Sequence, residues 1–151
     1  MINQSLNQNT LVKLLISYGA NVNVEAVGKS YKLYPLTLSV VNGNYEVSRI
    51  LLEAGADTDA QDQTGKAAIH YAVVNQDESI TKVLIKHQAN IKVRHSSFEV
   101  ILDPYSEEKK VLGTGFTPLL YAVTSGNTLF VKLLLLNGAD ANMSDRNNTL
   151  F

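Results

Sequence analysis

The side chains able to hold a metal or drive catalysis are few in this chain, and their spacing does not suit either task. His70, His87 and His95 stand 17 and 8 residues apart, intervals that do not set two imidazoles as a helical metal pair. Asp57, Asp59 and Asp62 begin like a calcium loop. Such a loop needs Gly at its sixth position and Glu at its twelfth, where this chain carries Asp62 and Ala68. The absence of cysteine removes thiolate zinc sites, cysteine nucleophiles and disulfide frameworks together. No serine occupies a Gly-x-Ser-x-Gly elbow, and no Gly-rich phosphate loop precedes a helix. The expectation is a non-enzyme without cofactor, metal or small-molecule substrate.

Composition narrows the partners. Thirteen Lys and Arg against fourteen Asp and Glu leave a net charge of −1, with no basic surplus to neutralise phosphates, so nucleic acid is not expected as a ligand. The N-terminus lacks the basic and apolar regions of a signal peptide. The most apolar run, Leu133 to Leu136, is far too short to span a bilayer. These features suit a cytoplasmic chain, with the nucleus also open. A hydrophobic share of 45% in 151 residues suffices for one domain with a core.

What would position these residues is a repeat. Gly19-Ala20-Asn21, Gly55-Ala56-Asp57 and Gly138-Ala139-Asp140 share a turn, with Gln88-Ala89-Asn90 as a weaker copy, so the spacings are 36, 33 and 50. A second segment recurs about twenty residues earlier: Tyr34-Pro35-Leu36, Ala67-Ala68-Ile69 and Thr117-Pro118-Leu119, again 33 and 50 apart. Two independent segments agree on the period and on where extra residues enter. Pro35 and Pro118 suit the first turn of a helix, and Thr117 can cap it. Gly43-Asn44 and Gly126-Asn127 end that helix. A second helix follows with apolar residues at i, i+3 and i+4 (Val47, Ile50, Leu51; Val131, Leu134, Leu135), stopped by Gly55 and Gly138.

This unit resembles the ankyrin repeat, whose pattern runs Thr-Pro-Leu-His, a Gly-containing turn, an apolar helix and Gly-Ala-Asp. The resemblance implies an all-α ankyrin-repeat solenoid of stacked helix-turn-helix units joined by β-hairpin fingers. Its expected divisions are a partial repeat 1 over 1–28, repeat 2 over 29–60, repeat 3 over 61–93, an inserted long finger over 94–111, repeat 4 over 112–143 and the start of a further repeat over 144–151. His70 matches the family's histidine, which hydrogen-bonds backbone in the next loop. Repeat 3 departs most from the pattern, with Ala67-Ala68 for Thr-Pro, Gln76-Asp77 at the interhelical turn and Gln88 for the cap glycine. A non-Gly residue at positive φ carries about 1 kcal/mol of strain, making this repeat the least stable locally.

The insertion holds an apolar run (Ser97 to Leu102), a turn signal at Asp103-Pro104 and a second run (Lys109 to Leu112), which read together as a lengthened finger. Glu107-Glu108 and Lys109-Lys110 suit a solvated tip. Long loops on rigid scaffolds collect binding residues, so Phe98, Val100, Ile101 and Tyr105 are candidate contacts. The resemblance implies that fingers and first helices line a concave face. Register then places Val41, Asn42, Val74, Asn75, Thr124 and Ser125 there, joined by Lys32, Lys66 and Phe116 from the fingers. Phe116 is expected to face solvent or a partner. The apolar run through Leu136, followed by little more than Leu150 and Phe151, leaves an end that another repeat or chain would cover.

The function read from this is a non-catalytic protein–protein interaction module, binding a protein of unknown identity by its concave face and extended finger. Alternatives are a structural spacer or cytoplasmic regulatory segment of a longer array, or an effector protein of a virus or intracellular bacterium.

Overall fold

The computed structural model describes residues 4–27, 32–96, 99–102, 109–112 and 115–142. The helices are α1 (Gln4–Ser17), α2 (Pro35–Val41), α3 (Tyr45–Glu53), α4 (Ala68–Val74), α5 (Glu78–Lys86), α6 (Pro118–Thr124) and α7 (Thr128–Leu136). The strands are β1 (Ala26–Val27), β2 (Lys32–Leu33), β3 (Glu99–Leu102) and β4 (Lys109–Leu112).

Local chemistry sets the helix ends. Pro35 and Pro118 open α2 and α6, and the Thr117 hydroxyl accepts from Leu120 N–H at 3.3 Å. The outer helices α3, α5 and α7 all begin on an Asx cap. The side chains of Asn44, Asp77 and Asn127 accept from Val47, Ile80 and Phe130 N–H at 3.2, 2.8 and 3.3 Å. Two chain reversals that glycine makes elsewhere are made here by glutamines: Gln76 at φ 56° and Gln88 at φ 65°. The left-handed cap thus forms in repeat 3 without glycine, and its Cβ meets the steric penalty of that region.

Each helix pair is closed by its neighbours. α2 packs on α3, α4 on α5 and α6 on α7, while α2, α4 and α6 stack as an inner row with α1, α3 and α5 stacked behind. Leu36, Leu51, Ile69, Ile80, Leu84, Leu119 and Leu134 are buried in one continuous core. No pair could cover these faces alone, so stability is carried from neighbour to neighbour. The buried hydroxyls of Ser39 and Ser48 lie 2.8 Å apart, with the Leu36 and Asn44 carbonyls 2.8 and 2.9 Å from them; one hydroxyl donates to the other and the other to its carbonyl. Neither hydroxyl is stranded.

The loops carry a polar ladder. Asn23 Oδ1 accepts from Asp57 N–H at 2.7 Å, and Asp59 Oδ1 accepts from Asn90 N–H at 2.8 Å. The next equivalent position is Lys92, 33 residues after Asp59, and an ammonium accepts nothing. The ladder therefore cannot step on to repeat 4 in the same way. The inserted run pairs antiparallel as β3–β4, with Val100 opposite Val111 and Ile101 opposite Lys110; β1–β2 is a shorter hairpin.

Replacing Gln88 by Gly removes a Cβ from a φ of 65° and is expected to stabilise the chain by about 1 kcal/mol. Gln76→Gly acts in the same direction. Urea unfolding monitored by circular dichroism checks both; an unchanged or lowered midpoint would show that the glutamine caps carry no strain.

Candidate functional site

The expected positions along the inner helices form a row. Val41 and Val74 end α2 and α4 at 42% and 50% exposure, and Asn42, Asn75 and Ser125 are exposed beside them. Thr124 is half-buried. Asn75 Nδ2 donates to the Val41 carbonyl at 3.3 Å and so ties α4 to the end of α2. Thr124 and Ser125 instead donate back into α6, to Leu120 and Ala122 carbonyls at 3.0 and 3.1 Å.

Lys66 is half-buried and stands just before α4, at the end of that helix opposite Val74 and Asn75. Its Nζ lies 5.8 Å from the Tyr71 ring centroid and 5.6 Å from that of Tyr121, a cation held by two aromatic faces. Tyr71 Oη donates to Asp62 Oδ2, while Asp62 Oδ1 accepts from Thr64 N–H and Oγ1 at 2.8 and 2.6 Å and from Lys66 N–H at 3.1 Å. Burial pushes the Asp62 carboxyl up, but the bonds from Thr64, Tyr71 and Lys66 outweigh it and hold the group below its ordinary value. A fixed carboxylate thus braces the loop that aims Lys66. A smaller version stands on the β1–β2 hairpin, where Lys32 Nζ meets Glu25 at 3.1 Å and lies 5.5 Å from the Tyr34 ring.

Phe116 corrects the sequence reading. It was expected at the surface because it aligns with Lys66; it is 0% exposed, packed with Leu120 and Tyr121. The reason is the insertion, which brings His95 beneath it. The His95 ring lies 6.0 Å from Phe116, 5.6 Å from Tyr121 and 5.9 Å from His70. Phe116 is a core residue of the repeat 3–repeat 4 junction rather than an exposed anchor.

His70 is the polar link at that junction. Its Nδ1 accepts from Ala67 N–H at 3.2 Å, which leaves the proton on Nε2 to donate to the Phe116 carbonyl at 3.2 Å. One imidazole thereby replaces the missing Thr cap of α4 and binds the next repeat's loop. The histidine pair was invisible in the sequence, since 25 residues separate its members. Tyr71, Tyr121 and Asp62 were also missed as site residues, because alternation of apolar and polar positions does not say which tyrosine faces a lysine.

The finger is fixed at its root. Ser96 N–H donates to the Thr64 carbonyl at 2.8 Å, and Arg94 reaches the Gly115 carbonyl at 3.2 Å. Gly65, at φ 80°, sits where a Cβ would come within 2.7 Å of Ser96 N, so a side chain there would force the root apart. Val100 and Ile101 lie on β3; Phe98 and Tyr105 lie outside the described residues.

Burial, reinforced by His95 and Lys66, lowers the His70 pKa from 6.5 to about 4. The unfolded chain then binds more protons between those values, so stability is full above about pH 6.5 and falls as pH drops towards 4, by up to roughly 3 kcal/mol. Urea midpoints at pH 7.5, 5.5 and 4.5 should fall in that order, with the slope flattened in His70→Gln. An equal slope in the variant would place the titration elsewhere.

Among the described residues, no helix is long and apolar enough to cross a membrane, and no three His, Asp or Glu gather as a metal site. The chain is 28% identical over 145 residues to the transient receptor potential cation channel subfamily V member 5 of Rattus norvegicus, covering 86% of this chain and 18% of that one. An ankyrin repeat protein of Fowlpox virus is 30% identical over 136 residues, covering 89% of this chain and 36% of its own length. The nuclear factor NF-kappa-B p105 subunit of Gallus gallus is 29% identical over 139 residues, with coverages of 90% and 13%. The chain thus spans between 13% and 36% of these relatives' lengths. The family model for three-copy ankyrin repeats matches residues 2–95 and that for a single ankyrin repeat matches 114–146. With the paired helices, the capped turns and the bridging histidine, these matches establish that the chain belongs to the ankyrin repeat family.

Proposed function

We propose that this chain is a non-catalytic module that recruits a protein partner through the face lined by α2, α4 and α6, which the family places on the concave side, together with the extended β3–β4 finger. Ankyrin repeats are in general protein–protein interaction modules and typically non-enzymatic. The observation that carries the reading is Lys66, held between Tyr71 and Tyr121 before α4, with Val41, Val74 and Asn75 exposed at the far ends of the same inner helices. Tyrosines on a rigid surface are among the side chains enriched at interface centres, and Lys66 adds a fixed charge between two of them. The finger adds a second element whose root is hydrogen-bonded to repeat 3. A cytoplasmic setting suits this role.

A second reading has one observation in its favour. The chain spans a small part of its relatives, among them a cation channel subunit, so the same face can serve as a regulatory segment within a longer protein. An effector role, in a virus or an intracellular bacterium, would use the same surface and differ only in the partner.

Affinity capture from a cytosolic extract tests the proposal with three baits: the intact chain, a chain whose residues 99–112 are replaced by a short Gly-Ser turn, and a Lys66→Glu, Val74→Asp double variant. A partner retained by the intact chain and lost with the double variant assigns recognition to the helix face, and loss with the short turn assigns it to the finger. Retention by both altered baits would overturn the proposal. Each loss is expected to exceed about tenfold, since a centrally placed charge reversal costs more than 1.4 kcal/mol.

A further inference from the structure

The junctions of the stack are not built alike. Repeat 2 is tied to repeat 3 by a rung of the polar ladder, in which Asp59 Oδ1 accepts from Asn90 N–H at 2.8 Å. A second tie is Asn75 Nδ2, which donates to the Val41 carbonyl at 3.3 Å. Neither recurs between repeats 3 and 4. The rung would have to run from Asp140 N–H to Lys92, and an ammonium accepts nothing. Ser125, in the place of Asn75, donates back to the Ala122 carbonyl of its own helix.

The outer helices differ in the same place. α5 packs on α3 as α3 packs on α1, whereas α7 comes less close to α5. Phe130 stands where Val47 and Ile80 stand in the earlier outer helices, and it is buried. The larger ring holds the two backbones apart. What joins repeat 4 to repeat 3 is therefore the inner row and a set of bonds at the insertion. His70 Nε2 and His95 N–H both donate to the Phe116 carbonyl, at 3.2 and 3.3 Å, and Arg94 donates to the Gly115 carbonyl beside it. A bond from Asn127 to Gln76 at 3.1 Å lies at the exposed surface.

His70 has no room for a second proton in this arrangement. Its Nδ1 would have to stop accepting from Ala67 N–H, the bond that closes the start of α4. Burial disfavours a charge there, and His95, from the segment leading to the finger, and Lys66, from the loop before α4, add to it. Asp62, in the same loop as Lys66, is engaged by Thr64 and Tyr71. α6 presents the ring of Tyr121 at 5.9 Å, and neither α2 nor α6 carries a charged residue. On α5, Glu78 pairs with Lys82, and Lys86 is exposed.

We propose that this junction is an acid-released latch: protonation of His70 separates α6 and α7 from α4 and α5 as one unit, while α1 to α5 stay folded. Opening takes Tyr121 away from Lys66 and parts the two legs of the finger, since Ser96 stays on Thr64 and Phe116 moves with α6. A helix pair parted from its neighbour cannot bury its own apolar faces, so α6 and α7 lose amide protection together. The device belongs to the chain alone and rests on no partner.

Amide hydrogen exchange of the full chain, read by mass spectrometry at pH 7.5, 6.0 and 5.0 and corrected for the intrinsic pH dependence of exchange, tests the latch. α6 and α7 should open together, about tenfold or more above α3 and α5 at each pH. With His70 at about 4 in the stack and at 6.5 once exposed, that opening should rise about 30-fold from pH 7.5 to 5.0. His70→Gln should flatten the rise. Lys92→Asn, at an exposed position, restores an acceptor for Asp140 N–H and should lower the opening about fivefold at every pH with the rise intact. Circular dichroism checks that both variants fold; where His70→Gln does not, the unaltered chain and Lys92→Asn decide. Four results would overturn the proposal: one opening constant shared by all the helices, an α6–α7 opening without the acid rise, a rise that persists in full in His70→Gln, or an opening that Lys92→Asn leaves unchanged.

Discussion

Every element of this chain depends on one constraint: a two-helix unit with seven- and nine-residue helices cannot bury its own apolar faces. α2 and α3 cover part of each other, and the rest of their surface is removed from water only when α4 and α5 arrive. Folding is therefore a matter of propagating one interface along the chain, and local defects are tolerated where the next interface is good. Repeat 3 illustrates this. It lacks the opening Thr-Pro and both turn glycines, yet Ala67, Ile69, Ala72, Ile80 and Leu84 are almost wholly buried, because it has a neighbour on each side.

The insertion between repeats 3 and 4 puts that propagation under its greatest demand. More than a dozen extra residues must leave and return without shifting α6 from its seat on α4. The junction meets the demand with bonds that span the inserted segment. His70 reaches the Phe116 carbonyl, His95 N–H reaches the same carbonyl at 3.3 Å, and Ser96 is held by Thr64. The aromatic cluster of His95, Phe116 and Tyr121 fills the space behind these bonds. A neutral imidazole suits this place because it accepts on one side and donates on the other without carrying a charge into the core. The arrangement also keeps the finger's root on the same rigid body as Lys66, so that the two proposed recognition elements hold a fixed relation.

Order along the stack sets the chemistry of the surface at each point. In the middle, the polar faces that remain are those of the inner row and the fingers, and Lys66 with its two tyrosines lies there. At the α1 end lies an aliphatic groove between α2 and a helix longer than its counterparts. Two surfaces of different chemistry therefore arise from a single repeated interface, one polar and cationic and one uncharged and apolar.

The sequence by itself determined the repeat, its period, the Thr117 cap, the positive-φ turns at Gln88 and the glycines, and the place of the insertion. All of these are written in residues a few positions apart, where backbone stereochemistry and helical periodicity act directly. It placed Val41, Asn42, Val74, Asn75 and Ser125 at the surface for the same reason, since register fixes the outward side of a helix. The tertiary structure alone decided the fate of Phe116, the meeting of His70 with His95, the seating of Lys66 between Tyr71 and Tyr121, and the groove beside α1. Register aligned Phe116 with Lys66 and so assigned it to solvent, but an inserted segment changes what lies over a position without changing its number in the repeat. Contacts between residues tens of positions apart depend on how helices stack and where a loop returns, and short-range stereochemistry does not encode that.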